Sequence, residues 1–424
     1  MKKSMKKILM LTSLVSATLL AACGNNDSSE GSSDSLNGEK TVVTLALWNK
    51  NQEPVLRDIL DKFEEQNENI TVELQLTPNP QYWTKLEAAA SGSQMPDIVW
   101  MNGPNFINYA SNGIIEPINS YLESSDIDLA NYPESLVDLY THEGELYGIP
   151  KDWDTTALWY NKDLFDAAGL DYPTNEWTFD EMKAAAEQLT DPSKGIYGVS
   201  ANYMTQEGIY DIIPQNGGYV INEDRTESGY DRSEAIEGVE KYVALIEEGI
   251  SPDLATQTDT GPRDLFSAGK LGMVYSASWN IPVYVENETL NADLVEVPSM
   301  KQKATAIHGL IYALNAKSEQ KDEAWKVIEY LASEEANQIW AESGVVIPGH
   351  QGSLDTWLES RPDLNLEAYV NSLEYSVPFP ISKNSSVWND YESEAITKIY
   401  SLEVSVEDGL KELAEKMNAA LEKE

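Results

Sequence analysis

Between residues 41 and 76 the sequence reads strand, helix, strand, and that order in so short a span admits few folds. Thr41-Val42-Val43-Thr44-Leu45-Ala46-Leu47-Trp48 is apolar enough for a buried strand. Residues 51–66 place Val55, Leu56, Ile59, Leu60 and Phe63 at helical spacing. Ile70-Thr71-Val72-Glu73-Leu74-Gln75-Leu76 alternates strictly, as a half-exposed strand does. Strand, helix and strand within about 35 residues make a βαβ unit, whose two strands run parallel. A helix over 81–91, stopped by Gly92, leads into a third strand over 97–101. The chain therefore opens as an α/β layer.

In open parallel sheets the crevice for a ligand lies beyond the carboxyl ends of the strands. Here those ends carry Trp48-Asn49 and Trp100-Met101-Asn102, with Tyr82-Trp83 at the start of a following helix. Three indoles and two carboxamides are expected together there. Trp100 and Met101 equally suit a core, since indoles are usually largely buried. Trp48 and Trp83 read more readily as functional. Asp97, at a strand start, reads as a cap or turn.

A second stretch, residues 147–161, reads as a crossing between two lobes. Gly148 and Pro150 bracket Ile149 at its start, and it ends in the apolar run Ala157-Leu158-Trp159-Tyr160. Between them stands Lys151-Asp152-Trp153-Asp154. A buried unpaired carboxylate is costly, so this cluster suits the wall of a cleft better than a core. From Asn161 a second α/β lobe is expected. Its marks are a short helix closed by Gly169, a capping box of Thr178 and Glu181, and Gln215-Asn216-Gly217-Gly218 as a close backbone approach or a turn. A strand over 271–275 then leads through Ser276-Ala277-Ser278-Trp279-Asn280 into a helix, setting an indole beside free backbone donors. Residues 306–314 read as a strand, 319–333 and 334–343 as helices, and 345–348 as extended. The stretch 386–424 is mostly helix, interrupted near Val404-Ser405.

A chain of 424 residues is too long for one ordinary core, and its 42% apolar residues can fill two or three. Its formal charge is −42, and without the leader lysines Lys2, Lys3, Lys6 and Lys7 it is 25 basic against 71 acidic residues, −46. Such a surface repels phosphate backbones, so nucleic acid is excluded as a partner. The single cysteine, Cys23, allows no intrachain disulfide and no thiolate metal site. His142, His308 and His350 lack metal-ligand spacing. No glycine pattern for phosphates or dinucleotides is present.

Residues 1–22 read as an export leader: four lysines, an apolar stretch over 8–20 too short to span a bilayer permanently, then Leu20-Ala21-Ala22-Cys23. This ending resembles the bacterial lipobox, in which the cysteine is lipid-modified. A lipidated Cys23 would anchor the chain to the outer face of the cytoplasmic membrane. Residues 23–40, rich in Gly, Ser, Asn, Asp and Glu, read as a flexible tether with an r.m.s. span of roughly 20–25 Å.

Four motifs in order carry a wider resemblance. They are Asn79-Pro80-Gln81-Tyr82-Trp83-Thr84-Lys85-Leu86 followed by Gly92-Ser93-Gln94-Met95-Pro96-Asp97-Ile98-Val99-Trp100-Met101; Tyr147-Gly148-Ile149-Pro150; Leu158-Trp159-Tyr160-Asn161-Lys162-Asp163-Leu164-Phe165 with Gly169-Leu170; and Gly269-Lys270-Leu271-Gly272-Met273 with Trp279 six residues on. From Thr41 onward the chain resembles the family 1 extracellular solute-binding proteins of ABC importers, the class of the maltose-binding protein. That resemblance implies a two-lobed, periplasmic-binding-protein-like (type II) α/β fold, with a multi-strand hinge and a ligand cleft between the lobes. The first lobe would take residues 41–150 and 306–345, the second 151–305 and 346–424. It further implies a chain that closes on its ligand and delivers it to a membrane permease, without catalytic residues or a cofactor. A monomer with its cleft along residues 147–161 is expected.

The aromatic content points to the ligand. Eleven Trp and 22 Tyr against six Phe favour amphipathic rings, which pack on the C–H faces of sugars. Trp48, Trp83, Trp153, Trp279 and Trp388 are the stacking candidates, with Tyr82 beside them. By the resemblance, Trp388 falls where the family often places a late aromatic platform. Asp152, Asp154, Asn49, Asn102 and Asn216 are the hydroxyl-bonding candidates. Each singly also fits packing or a solvated surface. His308 is read as a hinge packing residue. A carbohydrate, as an oligosaccharide, is the expected ligand. A polyamine boxed by aromatics and carboxylates, a phosphate ester, a secreted glycosidase using Asp152 and Asp154, and a non-transport adhesin remain alternatives.

Overall fold

The computed structural model describes residues 40–92 and 94–424. Cys23, the 1–22 leader and the 23–40 tether except Lys40 lie outside the described residues. Strand β1 (Thr41–Leu47) buries Val43, Leu45 and Leu47, and β2 (Ile70–Leu76) pairs parallel with it along its whole length. Between them α1 (Glu53–Gln66), with Pro54 in its first turn, packs Leu56, Ile59, Leu60 and Phe63 inward. After α2 (Asn79–Ser91), strand β3 (Ile98–Asn102) joins the other side of β1 in parallel and α3 (Gly103–Ser111) follows. Asp97 accepts from the backbone and hydroxyl of Thr44 and from Ser318 Oγ, so it is a structural tie at the strand start.

A short hairpin of β4 (Thr141–His142) and β5 (Glu145–Leu146) precedes β6 (Gly148–Asp154). The next four strands are β7 (Thr156–Asn161), β8 (Tyr197–Ser200), β9 (Leu271–Ala277) and β10 (Ala292–Glu296), and they form their own sheet in the order β10-β7-β9-β8. The chain then returns with β11 (Thr305–Leu314), β12 (Ile347–Pro348) and β13 (Ser376–Pro378). The first sheet runs β12-β6-β11-β3-β1-β2, with β13 also on β11. Residues 151–154 belong to the first sheet. Every residue of Gly148–Asp154 except Lys151 pairs with β11, so the ladder passes to the other sheet only after Asp154. Residues 347–348 likewise pair with β6 in the first sheet. The Ser385–Tyr400 and Val406–Leu421 helices then pack on the Ser233–Glu247 helix of the second lobe.

Strand direction brings the two sheets edge to edge. β3 and β6 are both antiparallel to β11, so β1, β3 and β6 end on one edge. In the other sheet Thr156, at the start of β7, pairs with Ala277 at the end of β9, and β8 runs parallel to β9. Only Thr155 separates β6 from β7. The carboxyl edges of both sheets therefore meet at residues 154–156. Where β11 crosses β6 the register slips between Leu310 and Ile311. A Cβ on Gly309 would lie 2.3 Å from the Asp152 carbonyl oxygen, so only glycine fits there.

Candidate functional site

At the first lobe's edge the aromatic cluster forms as the sequence implies, in two tiers. Trp48, just past β1, lies 4.9 Å from Tyr82, 5.6 Å from Trp83 and 5.3 Å from Trp100, ring centre to ring centre. Tyr82 and Trp100 are buried and form the backing, and the Tyr82 hydroxyl donates to the Trp100 carbonyl at 2.8 Å. Trp48 and Trp83 are half-buried and keep surface for a partner. Asn49 Oδ1 accepts from the Asn51 amide at 2.9 Å and shapes the turn into α1. Asn102 caps α3, accepting from the Asn105 amide.

At the crossing, the Lys151–Asp154 quartet is buried throughout, contrary to an open cleft wall. A strand turns alternate side chains to opposite faces. Asp152 and Asp154 therefore share one face and Trp153 takes the other, where it is 1% exposed. Trp153 is core packing in this structure, not a stacking surface. Asp152 is held by Lys151 and by the Leu310 amide at 3.0 Å. Asp154 Oδ1 accepts from Gln206 Nε2 at 2.5 Å, and its Oδ2 lies 3.6 Å from His308 Nδ1. His308 Nε2 accepts from the Gly103 amide at 3.4 Å, which leaves the ring proton on Nδ1, facing Asp154. His308 is thus more than the packing residue its neighbours in sequence implied. Burial pushes the Asp154 carboxyl up, while His308 and Gln206 draw it back.

On the second lobe's edge, Trp279 follows β9 in a 3₁₀ turn and is half-buried. Behind it Glu207 accepts from the Ala277 amide at 2.8 Å and from Asn280 Nδ2 at 2.7 Å. Burial pushes the Glu207 carboxyl up to about 7. Asp211, wholly buried, accepts from Thr305 Oγ1 and the Ala306 amide, both at 2.9 Å, and burial holds it at about 7 as well. Asp211 thereby joins the second lobe to the start of β11. Gln206, Glu207 and Asp211 escape a sequence reading because β8 is only four residues long. Without it, nothing marks 201–211 as lying past a strand end.

Two further candidates lie away from an open surface. Asn216 ends the Ile209–Gln215 helix and donates to the Glu234 carbonyl at 2.7 Å, a joint between helices. Trp388 is 0% exposed, with its indole nitrogen donating to Ser382 Oγ at 2.8 Å. Its helix is packed between α3 and the Val406–Leu421 helix, so the ring offers no free face here. Among the described residues no group of three His, Cys, Asp or Glu side chains is placed to hold a metal ion.

The model of the bacterial extracellular solute-binding proteins matches residues 49–338. The chain belongs to this family. Solute-binding proteins of this family are extracellular, so the chain is an exported one. An ABC substrate-binding protein from Listeria monocytogenes, solved in complex with cycloalternan, superposes with a TM-score of 0.85 at 28% identity, over 90% of this chain and 99% of that one. The sugar-binding protein MalE from Xanthomonas citri has the same two-lobed fold, with a TM-score of 0.76 at 20% identity over 90% and 98% of the two chains. The galactooligosaccharide-binding protein of Bacillus subtilis is 23% identical over 399 residues, 91% of this chain and 90% of that one.

Proposed function

We propose that this solute-binding protein captures an extracellular oligosaccharide between its lobes and delivers it to the permease of an ABC importer. The observation that carries the reading is the placing of half-buried indoles on two carboxyl edges that meet. Trp48 and Trp83 stand on one edge and Trp279 on the other, with Asp154 at their junction. Rings supply faces for sugar C–H groups, and carboxylates and carboxamides accept from hydroxyls. The cycloalternan complex of the Listeria relative and the name of the Bacillus relative point the same way.

The protein is read as a binder and not a glycosidase. A hydrolase would need two available carboxyl groups, whereas both Asp152 oxygens are already engaged by Lys151 and Leu310. We further infer a monomer anchored through lipid on Cys23. Thermal unfolding of the chain from Thr41, with mono- and oligosaccharides, polyamines and phosphate esters, tests the ligand. Binding to the native state alone adds about 2.7 kcal/mol at 100 times Kd. A shift from an oligosaccharide supports the reading. A shift from a polyamine or phosphate ester alone replaces the substrate, and release of reducing ends would replace the class. Cys23→Ser in producing cells should release the protein to the medium.

A further inference from the structure

Lys151 has no exposed side-chain surface, yet the binding reading above does not use it. An ammonium at such depth loses several kcal/mol of hydration, and burial draws its pKa below the usual lysine value. Its Nζ donates to Gln52 Oε1 at 2.8 Å and to Asp152. It also lies 4.5 Å from the centre of the Trp100 ring and 4.8 Å from that of Trp340. The ammonium stands over both rings, so they meet the cation as π faces.

Gln52 gives this arrangement a direction. It closes the loop that leaves β1 with Trp48 and Asn49. Its amide donates to the Asn49 carbonyl at 3.2 Å, and its own carbonyl accepts from Leu56 in the first turn of α1. Lys151 belongs to β6, the strand that ends at Asp154. One hydrogen bond from the core therefore links the loop bearing Trp48 to the strand bearing Asp154. An apolar side chain of similar volume would fill the space between the indoles without the cost of desolvation.

We propose that Lys151 is a positioning residue for ligand binding. Through Gln52 it fixes the 48–52 loop, and with it Trp48 and Asn49, relative to Asp154 at the crossing. This rests on the oligosaccharide reading of the cleft. It assigns a role to a residue that does not touch ligand.

The test is a calorimetric titration of the full chain with the oligosaccharide that shifts its unfolding temperature, alongside three variants. Lys151→Met with Asp152→Asn removes both charges together and strands neither. Gln52→Ala cuts the link and leaves the pair intact, and Gln52→Glu keeps an acceptor for Lys151. The first two should bind about tenfold more weakly. The double variant should unfold near the wild-type temperature and Gln52→Ala at a lower one, since it strips an acceptor from a buried ammonium. Gln52→Glu should retain wild-type affinity. Wild-type affinity in both weakened variants overturns the proposal. So does a loss of affinity in the double variant that tracks a loss of stability, since Lys151 would then serve the core alone. If the wild type answers an amine or a phosphate ester and no oligosaccharide, the ligand reading has failed, and the same variants measured on that ligand decide the positioning role.

Discussion

Gln206 Nε2 and Asp154 Oδ1 lie 2.5 Å apart although one residue belongs to the second lobe and the other ends a strand of the first. The second oxygen of Asp154 faces His308 on β11. One carboxylate thus touches the crossing strand, the returning strand and the opposite lobe.

Asp154→Asn preserves the shape of that side chain but turns one acceptor into a donor, which opposes either Gln206 or His308 Nδ1–H. The expected cost is about 1–3 kcal/mol of stability, together with weaker ligand binding. Urea unfolding and calorimetry measure the two. A variant as stable and as tightly binding as wild type would remove Asp154 from the site.

Trp48→Ala and Trp279→Ala should each weaken the oligosaccharide by roughly tenfold, about 1.4 kcal/mol, with little change in unfolding temperature because both rings are half-buried. Their losses need not add in the double variant, since both rings act on one ligand. If either ring can be removed at no cost in affinity, that lobe binds by other groups.

Trp388→Ala behaves differently. Removing a fully buried indole and its bond to Ser382 should destabilise the fold by about 3–5 kcal/mol, while the folded fraction still binds. Denaturant unfolding followed by titration separates the effects. Intact stability with lost binding would show that the ring reaches the ligand after all.

Buried carboxyls set the pH response. Burial holds Glu207, Asp211 and Glu392 at about 7, Glu392 while accepting from the hydroxyls of Tyr210 and Tyr230. The folded chain therefore keeps protons that the unfolded chain sheds near pH 4–4.5, roughly the free carboxyl range. Their contribution is full below that range and is lost as pH rises through 7. Burial of His350, which lowers its pKa, works the other way below its ordinary value. Asp191 and Glu237, lowered to about 2, act only in acid. The urea midpoint should fall from about pH 6 to about pH 8, and Glu392→Gln should flatten the fall. A midpoint that rises over this range would contradict the burial of these groups.

Much of the fold is legible from local pattern. The β1-α1-β2 unit shows in its two periodicities, and the capping box of Thr178 and Glu181 forms as its spacing predicts. Gly169 closes its helix at a φ of 68°. Trp48 and Trp279 stand just past β1 and β9, and Trp83 in the helix after β2, where the sequence order puts them. What fails is anything decided by which way a side chain faces or by what packs on it later. Trp153 is lost to the core by a single step of the pleat between Asp152 and Asp154. Trp388 and Trp279 look alike in sequence, and only the packing of distant helices buries one and spares the other. Lys151 and Gln52 are 99 residues apart, and no local signal joins them.

The order of strands in the first sheet also bears on the life of the chain before it folds. β6 does not touch β3 but is separated from it by β11, whose residues are made some 150 positions later. β12, still later, closes the far edge. A nascent chain can pair β1, β2 and β3, yet β6 stays without a neighbour until most of the protein has been synthesised. Contacts so distant in sequence slow folding. The first sheet is therefore complete only once the C-terminal third of the chain has been made.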